Sequence, residues 1–302
     1  MIFQKKYRGD IMIKLIVSDM DGTLLNSDHV ISERNMEAIK FARDNGVEFL
    51  IATGRAHYEA MQPISQANLK TELICLNGAM TYDEKGNLIS SINLDLEDIS
   101  FISETFKKFG LDYQLYTPKC LYTESIEANM QAFIDLVLVQ GHEVNIEAIK
   151  EETKERVQSG HLVEVANIDD YLNDANNPVV KIMTVSKDME LLKKVREELE
   201  INKNISVTSS GVNNIEITNA KASKGQAVKN VAKEKGISLD NTMVLGDNLN
   251  DLSMIELAKY SVAINNGNPE LIKKASYISD FDNDKNGVGE MIFKLLKGEN
   301  SL

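Results

Sequence analysis

Short apolar runs alternate with amphipathic stretches over the first third of the chain. Ile13–Val17 is a β-branched run suited to a buried strand. A helix is predicted next, with Ser32 as N-cap and Met36, Ile39 and Ala42 as its apolar stripe. Gly46 stands just past its end, where a glycine closes many helices. Val47–Ala52 reads as a second strand, another helical stretch follows, and Leu73–Leu76 reads as a third strand. This alternation predicts a parallel sheet with right-handed crossovers. The pattern then changes. Asp83-Glu84-Lys85-Gly86-Asn87 lies between two strand-like runs and reads as a hairpin turn. Ile99, Ile102, Phe106 and Phe109 share one helical face, closed by Gly110, and extended pieces follow at Asp112–Tyr116 and Val179–Val185. A further helix carries Leu192, Val195 and Leu199 on its buried side. After it the alternation returns. A helix from Lys224 to Lys235 precedes Gly236, strand Thr242–Leu245 ends in Gly246-Asp247, and Val262–Ile264 is another strand. Asn268-Pro269 gives an N-cap followed by a proline at the first helical position.

The expected fold is therefore α/β. A doubly wound, Rossmann-like parallel-sheet core at residues 12–89 and 206–302 is interrupted by an inserted α+β domain at 90–205. Met12 stands directly before the first strand and is a second candidate start, which would make residues 1–11 a dispensable N-terminal extension.

Composition narrows the function. A chain of 302 residues with 43% hydrophobic content has room for two lobes. No apolar run approaches the ~20 residues of a membrane helix. With 46 Asp and Glu against 33 Lys and Arg, the net charge of −13 argues against a nucleic acid or an anionic membrane as partner. Cys75 and Cys120 are too few for a disulfide framework, so a reducing, cytoplasmic location is expected. The four histidines are scattered without zinc-like spacing, and no obligate protein partner is evident.

Four places carry chemistry. Asp19 and Asp21 follow the first strand, and alternate residues of an extended chain point to one side. Two carboxylates there repel each other unless a cation bridges them or one stays protonated. A hard cation such as Mg²⁺ suits their oxygens. The ordinary alternative is turn chemistry, which explains Asp21-Gly22 but not Asp19. Ala52-Thr53-Gly54-Arg55 ends the second strand and offers either an anion site or a plain N-cap. Lys224 opens a helix, where a cation opposes the macrodipole. Taken alone, it reads as a solvated lysine. Gly246-Asp247-Asn248-Leu249-Asn250-Asp251 closes a later strand with more oxygen donors than a turn requires. All four fall at strand ends or helix starts of one parallel sheet, where such sheets bind ligands.

At these residues the sequence resembles the haloacid dehalogenase superfamily. Asp19-Met20-Asp21-Gly22-Thr23-Leu24-Leu25 is similar to its first motif, Thr53 to its second, Lys224 to its third and Gly246–Asp251 to its fourth. The Ala-Thr-Gly-Arg form, Asn77-Gly78-Ala79 and the large insert resemble the Cof-type (class IIB, C2-capped) branch, over about residues 12–295. The resemblance implies an aspartyl-phosphate mechanism. Asp19 is then the nucleophile, and Asp21 the acid and base, with its pKa raised relative to Asp19. Mg²⁺ is held by Asp19, the Asp21 carbonyl and Asp247, with Asp251 supporting. Thr53, the Gly54 amide and Lys224 hold phosphoryl oxygens, Arg55 adds positive charge, and Asn250 contacts substrate or orients the metal shell. The insert becomes a cap that sets specificity. Tyr113, Tyr116, Lys119 and Tyr122 are candidate contacts there, with ordinary packing or surface as the preferred reading. His142 and His161 read as structural, and Cys75 as a small buried hydrophobe. The implied activity is Mg²⁺-dependent hydrolysis of small phosphorylated metabolites such as sugar phosphates or nucleotide-type cofactors. A phosphomutase and a non-catalytic metal- and phosphate-binding regulator are the alternatives.

Overall fold

A computed structural model describes residues 13–139, 145–209 and 212–297. The chain divides into two compact units, Met1–Ser90 with Ser223–Leu302, and Ser91–Ala222. In chain order the strands are β1 (Leu15–Ser18), β2 (Glu48–Ala52), β3 (Leu73–Cys75), β4 (Met80–Tyr82), β5 (Leu88–Ser91), β6 (Gln114–Tyr116) and β7 (Leu121–Thr123). They continue with β8 (Leu162–Glu164), β9 (Lys181–Val185), β10 (Ile205–Thr208), β11 (Asn214–Asn219), β12 (Thr242–Gly246), β13 (Tyr260–Ala263) and β14 (Tyr277–Ile278).

The first unit holds one sheet in the order β14-β13-β12-β1-β2-β3-β4-β5. It is parallel from β14 to β3, and β4 turns back antiparallel on β3. The 83–87 turn closes as expected, with Asp83 N–H donating to the Asn87 carbonyl at 3.0 Å. Alternation along β1 sends Leu15 and Val17 to one face. There they pack with Val228 and Val231 of helix Lys224–Glu234 and with Met254, Ile255 and Leu271. Asp19 continues that odd-numbered row, so it leaves the strand on the side where this helix begins. Register sets the neighbours. Ser18 is paired with Leu245 of β12 and with Ile51 of β2. The carboxyl ends of three parallel strands therefore finish level. Helix Glu33–Asp44 is capped by Ser32, whose side chain accepts from Asn35 N–H at 3.1 Å. It packs along helix Gly287–Lys297, with the Phe41 and Phe293 rings 5.3 Å apart.

The second unit has its own sheet, β10-β11-β9-β6-β7-β8. Helices Leu96–Phe109 and Met189–Leu199 lay Ile102, Phe106, Val195 and Leu199 against Leu115, Ile182, Ile215 and Ile217 of its inner face. The return to the first unit falls at Ser223, not near residue 206 as the alternation suggested. The cause is the hairpin β10–β11, which pairs with β9 and so belongs to the second sheet. Strand periodicity does not say which sheet a strand joins. Residues 1–11 and His142 lie outside the described residues. No helix among the described residues is long and apolar enough to cross a membrane.

Candidate active site

Asp19 sits just past β1 and is buried, with its N–H donating to the Leu245 carbonyl at 2.9 Å. The chain then makes one irregular turn over 20–24, closed by Leu25 N–H on the Met20 carbonyl at 2.9 Å. Gly22 allows that turn. Its φ is +72°, and a Cβ there would stand 2.5 Å from Asp247 Oδ2. Asp247 follows β12 on the adjacent strand, and its Oδ1 accepts from Thr23 Oγ1 at 2.7 Å.

Lys224 opens its helix with Ser223 as cap. Far from being solvated, its side chain is 0% exposed, and Nζ donates to Asp19 Oδ1 at 2.5 Å and to Asp251 Oδ1 at 2.6 Å. Taken alone the lysine gave no sign of this enclosure, because its partners lie 205 and 27 residues away. Burial pushes this ammonium down, but Asp19 and Asp251 outweigh it and hold the pKa above its usual value. Asp251 is fully engaged. Its Oδ1 takes Lys224, and its Oδ2 accepts the backbone N–H groups of Asp247 (3.0 Å) and Asn248 (3.1 Å).

Carboxylate oxygens of Asp19, Asp247 and Asp251 all lie within 4.8 Å of one another. With only Lys224 in the cluster to oppose them, three ionised acids leave an excess of two negative charges. Burial, then the neighbouring Asp251, drives the Asp19 carboxyl well up. The same two causes bring Asp247 to about 7. A divalent cation removes that excess, and an all-oxygen donor set suits a hard one. The residues thus fit a bound divalent metal.

Asp21 departs from expectation. The spacing rule set its carboxylate on the side of Asp19, and the structure adds a partner that the spacing did not give, Arg55. It takes a bidentate pair from Arg55, Nε to Oδ2 at 2.8 Å and Nη2 to Oδ1 at 2.6 Å, and stays 48% exposed. Partial burial pushes its pKa up, but the Arg55 charge and hydrogen bonds outweigh that and hold it below the usual range. The expected order, Asp21 above Asp19, is therefore reversed here. Arg55 neutralises Asp21 where the sequence had it adding free positive charge.

Thr53 is buried after β2. Its N–H donates to the Ile74 carbonyl at 2.8 Å, and its Oγ1 accepts from Arg55 N–H at 3.1 Å. Asn250 donates Nδ2 to Asn77 Oδ1 at 3.1 Å. Sequence reasoning gave no task to Thr23, to Asn77, or to Asn266, which donates Nδ2 to the Gly22 carbonyl at 2.8 Å. Thr23 lies inside the first motif, so position alone could have flagged it. Asn266 carries no local signal. Cys75 is buried, and burial pushes its thiol up, as befits a packed hydrophobe. In the second unit Tyr113 bonds Ser103 and Asp169, the Tyr122 and Tyr171 rings meet tilted with centroids 4.4 Å apart, and Lys119 is exposed.

Known proteins place this arrangement. The profile of the family described as haloacid dehalogenase-like hydrolase matches residues 16–292, so the chain belongs to that family. It is a phosphoric monoester hydrolase in class. It is 33% identical to "Phosphatase YwpJ" of Bacillus subtilis, over 94% of this chain and 100% of that protein. It is 32% identical to "5-amino-6-(5-phospho-D-ribitylamino)uracil phosphatase YwtE" of the same organism, over 95% and 99%. A solved haloacid dehalogenase-like hydrolase from B. subtilis superposes with a TM-score of 0.81 at 29% identity, over 93% of this chain and 99% of the other.

Proposed function

We propose that this protein hydrolyses phosphate monoesters of small metabolites, sugar phosphates or nucleotide-type precursors, in the cytoplasm, through a phosphoryl group carried on Asp19. The observation that supports this best is the enclosed Asp19–Lys224–Asp251 cluster beside Asp247. A relative named for a phosphorylated ribitylaminouracil favours substrates that join a polyol phosphate to a heterocycle.

In the first step an Asp19 oxygen attacks phosphorus, the bond to the ester oxygen breaks, and Asp21 gives its proton to the leaving alcohol. In the second, Asp21 takes a proton from the water that attacks the same phosphorus, releasing phosphate and freeing Asp19. Asp21 must leave Arg55 and gain a proton before the first step, so the Arg55 pair describes a resting arrangement. Lys224 orients Asp19 and, with Thr53 and the Gly54 amide, opposes charge on the phosphoryl oxygens. Asn250 contacts the ester. Mg²⁺ is the cation we assign, held by Asp19, Asp247 and the Asp21 carbonyl, with Asp251 fixing the loop behind them. When bound it supplies positive charge against the phosphoryl group.

The test is phosphate release from a panel of phosphorylated metabolites, with Mg²⁺ or with chelator, by wild type and Asp19→Asn. Release that needs both Mg²⁺ and Asp19 is the expected result. Folded, Mg²⁺-binding protein that releases phosphate from nothing in the panel would overturn it.

A further inference from the structure

The turn that joins β3 to β4 runs through three consecutive residues with left-handed backbone, Leu76 (φ 48°), Asn77 (φ 55°) and Gly78 (φ 97°). Such backbone disfavours residues with a side chain, Asn least among them and a branched residue such as Leu strongly. Outliers of this kind gather at functional sites. This one touches three of the loops that build the candidate site. Asn77 N–H donates to the Thr53 carbonyl and Leu76 N–H to the Arg55 carbonyl, both at 3.0 Å. A trans peptide points its C=O and N–H in opposite directions. A Thr53 carbonyl tied to the turn therefore aims the Gly54 N–H away from it. The Asn77 side chain reaches two loops as well. Its Oδ1 accepts from Asn250 Nδ2 at 3.1 Å, and it stands 3.1 Å from where a Cβ on Gly54 would be. Gly78 lies against the residue before Lys224, since a Cβ there would fall 2.2 Å from the Ser223 carbonyl oxygen.

We propose that Asn77 is a positioning residue for phosphoryl transfer. It fixes the Asn250 carboxamide and the Gly54 backbone relative to each other, so that both meet the same phosphate ester. The proposal rests on the phosphatase reading above. Asn77 acts through its two neighbours and touches no reacting atom. Asparagine suits the place because it tolerates left-handed backbone and carries a neutral acceptor. Glycine would keep the backbone and lose the acceptor. Aspartate would keep an acceptor and add a negative charge where an anionic ester must come.

The experiment is steady-state hydrolysis of para-nitrophenyl phosphate with Mg²⁺ by wild type, Asn77→Gly, Asn77→Asp, Asn250→Ala and the double variant Asn77→Gly/Asn250→Ala. Asn77→Gly and Asn250→Ala should each lower kcat/KM roughly tenfold, and the double variant should be no slower than the slower single, because both cut one link. Asn77→Asp should keep kcat within about threefold while KM rises. The melting temperature of Asn77→Gly should stay near wild type. Losses that multiply in the double variant overturn the proposal, as does an Asn77→Gly enzyme with wild-type kcat/KM. If Asn77→Gly does not fold, the aspartate variant decides, and a kcat as low as that of Asn250→Ala overturns the proposal. An inactive wild type overturns the phosphatase reading and this proposal with it, an outcome distinct from an active wild type with an indifferent Asn77.

Discussion

In the core unit the Lys224 side chain is fully enclosed between Asp19 and Asp251. In the inserted unit Lys181 is almost as enclosed, 4% exposed, with Glu216 at 3.2 Å. The Tyr116 ring lies 4.1 Å from Lys181 Nζ, and Glu216 Oε1 accepts from Asn214 Nδ2 at 3.1 Å. Lys181 and Glu216 are one base and one acid, so between them they carry no net charge. Around Lys224 three carboxylates share one ammonium. Enclosed charge without a counter-charge is expensive, and the rise of the Asp19 and Asp247 pKa values is the form that cost takes. Burial of a lysine therefore does not by itself mark a site. The imbalance around it does.

The largest effect should come from Lys224→Met. It leaves three enclosed acids uncompensated, so the metal-free protein should lose about 3–5 kcal/mol in urea denaturation. Phosphate release should fall by at least about 10²-fold. Mg²⁺ should return part of the lost stability, since it supplies the missing charge and binds the folded state. A variant indifferent to Mg²⁺ would break the comparison from the core side.

Lys181→Met should cost about 3 kcal/mol, because Glu216 then stays buried without the Lys181 ammonium. The double variant Lys181→Met/Glu216→Gln should recover to within about 1 kcal/mol of wild type, since the glutamine still offers Asn214 an acceptor. Mg²⁺ should change neither result. A double variant as unstable as the single would show that the pair is not self-balanced.

How far these two regions could be read beforehand follows from the range of each interaction. Asp19 was legible because strand alternation and parallel β1 place it at a strand end, a matter of a few residues. Thr53 and Asp247 followed from the same rule. Lys224 was not legible as a buried group, since its enclosure comes from acids on two other strand ends. The ion pair of Asp21 was not legible either, because Arg55 lies 34 residues away and leaves no local signal. The insert boundary missed β10 and β11 for a related reason. Ile205–Thr208 looks like any strand, and only pairing with Asn214–Asn219 and β9 assigns it to the second sheet. Asn77 was visible as a signature, but its link to Asn250 spans 173 residues.

The smallest expected effect concerns an exposed pair in the inserted unit. Asp169 accepts from Lys107 Nζ, from Tyr113 Oη at 2.9 Å and from Ser103 Oγ at 3.4 Å, with its side chain about one-third exposed. The hydrogen bond from Lys107 is the main reason its carboxyl lies below the usual value, with burial opposing and Tyr113 adding to the fall. A carboxyl lowered in the folded state binds fewer protons there than when unfolded. Its contribution is thus complete above the ordinary carboxylate pKa and fades as pH drops through the folded value. Asp169→Asn should lower stability at pH 7 by less than about 1 kcal/mol, given the solvent screening of such a pair. The gap in melting temperature between variant and wild type should narrow as pH falls below the ordinary carboxylate value of about 3.9. Phosphate release at pH 7 should not change. A gap that widens in acid would contradict the sign. A loss of turnover would mean that the charges of the inserted unit do more than hold its own fold, and the contrast with the core would then fail.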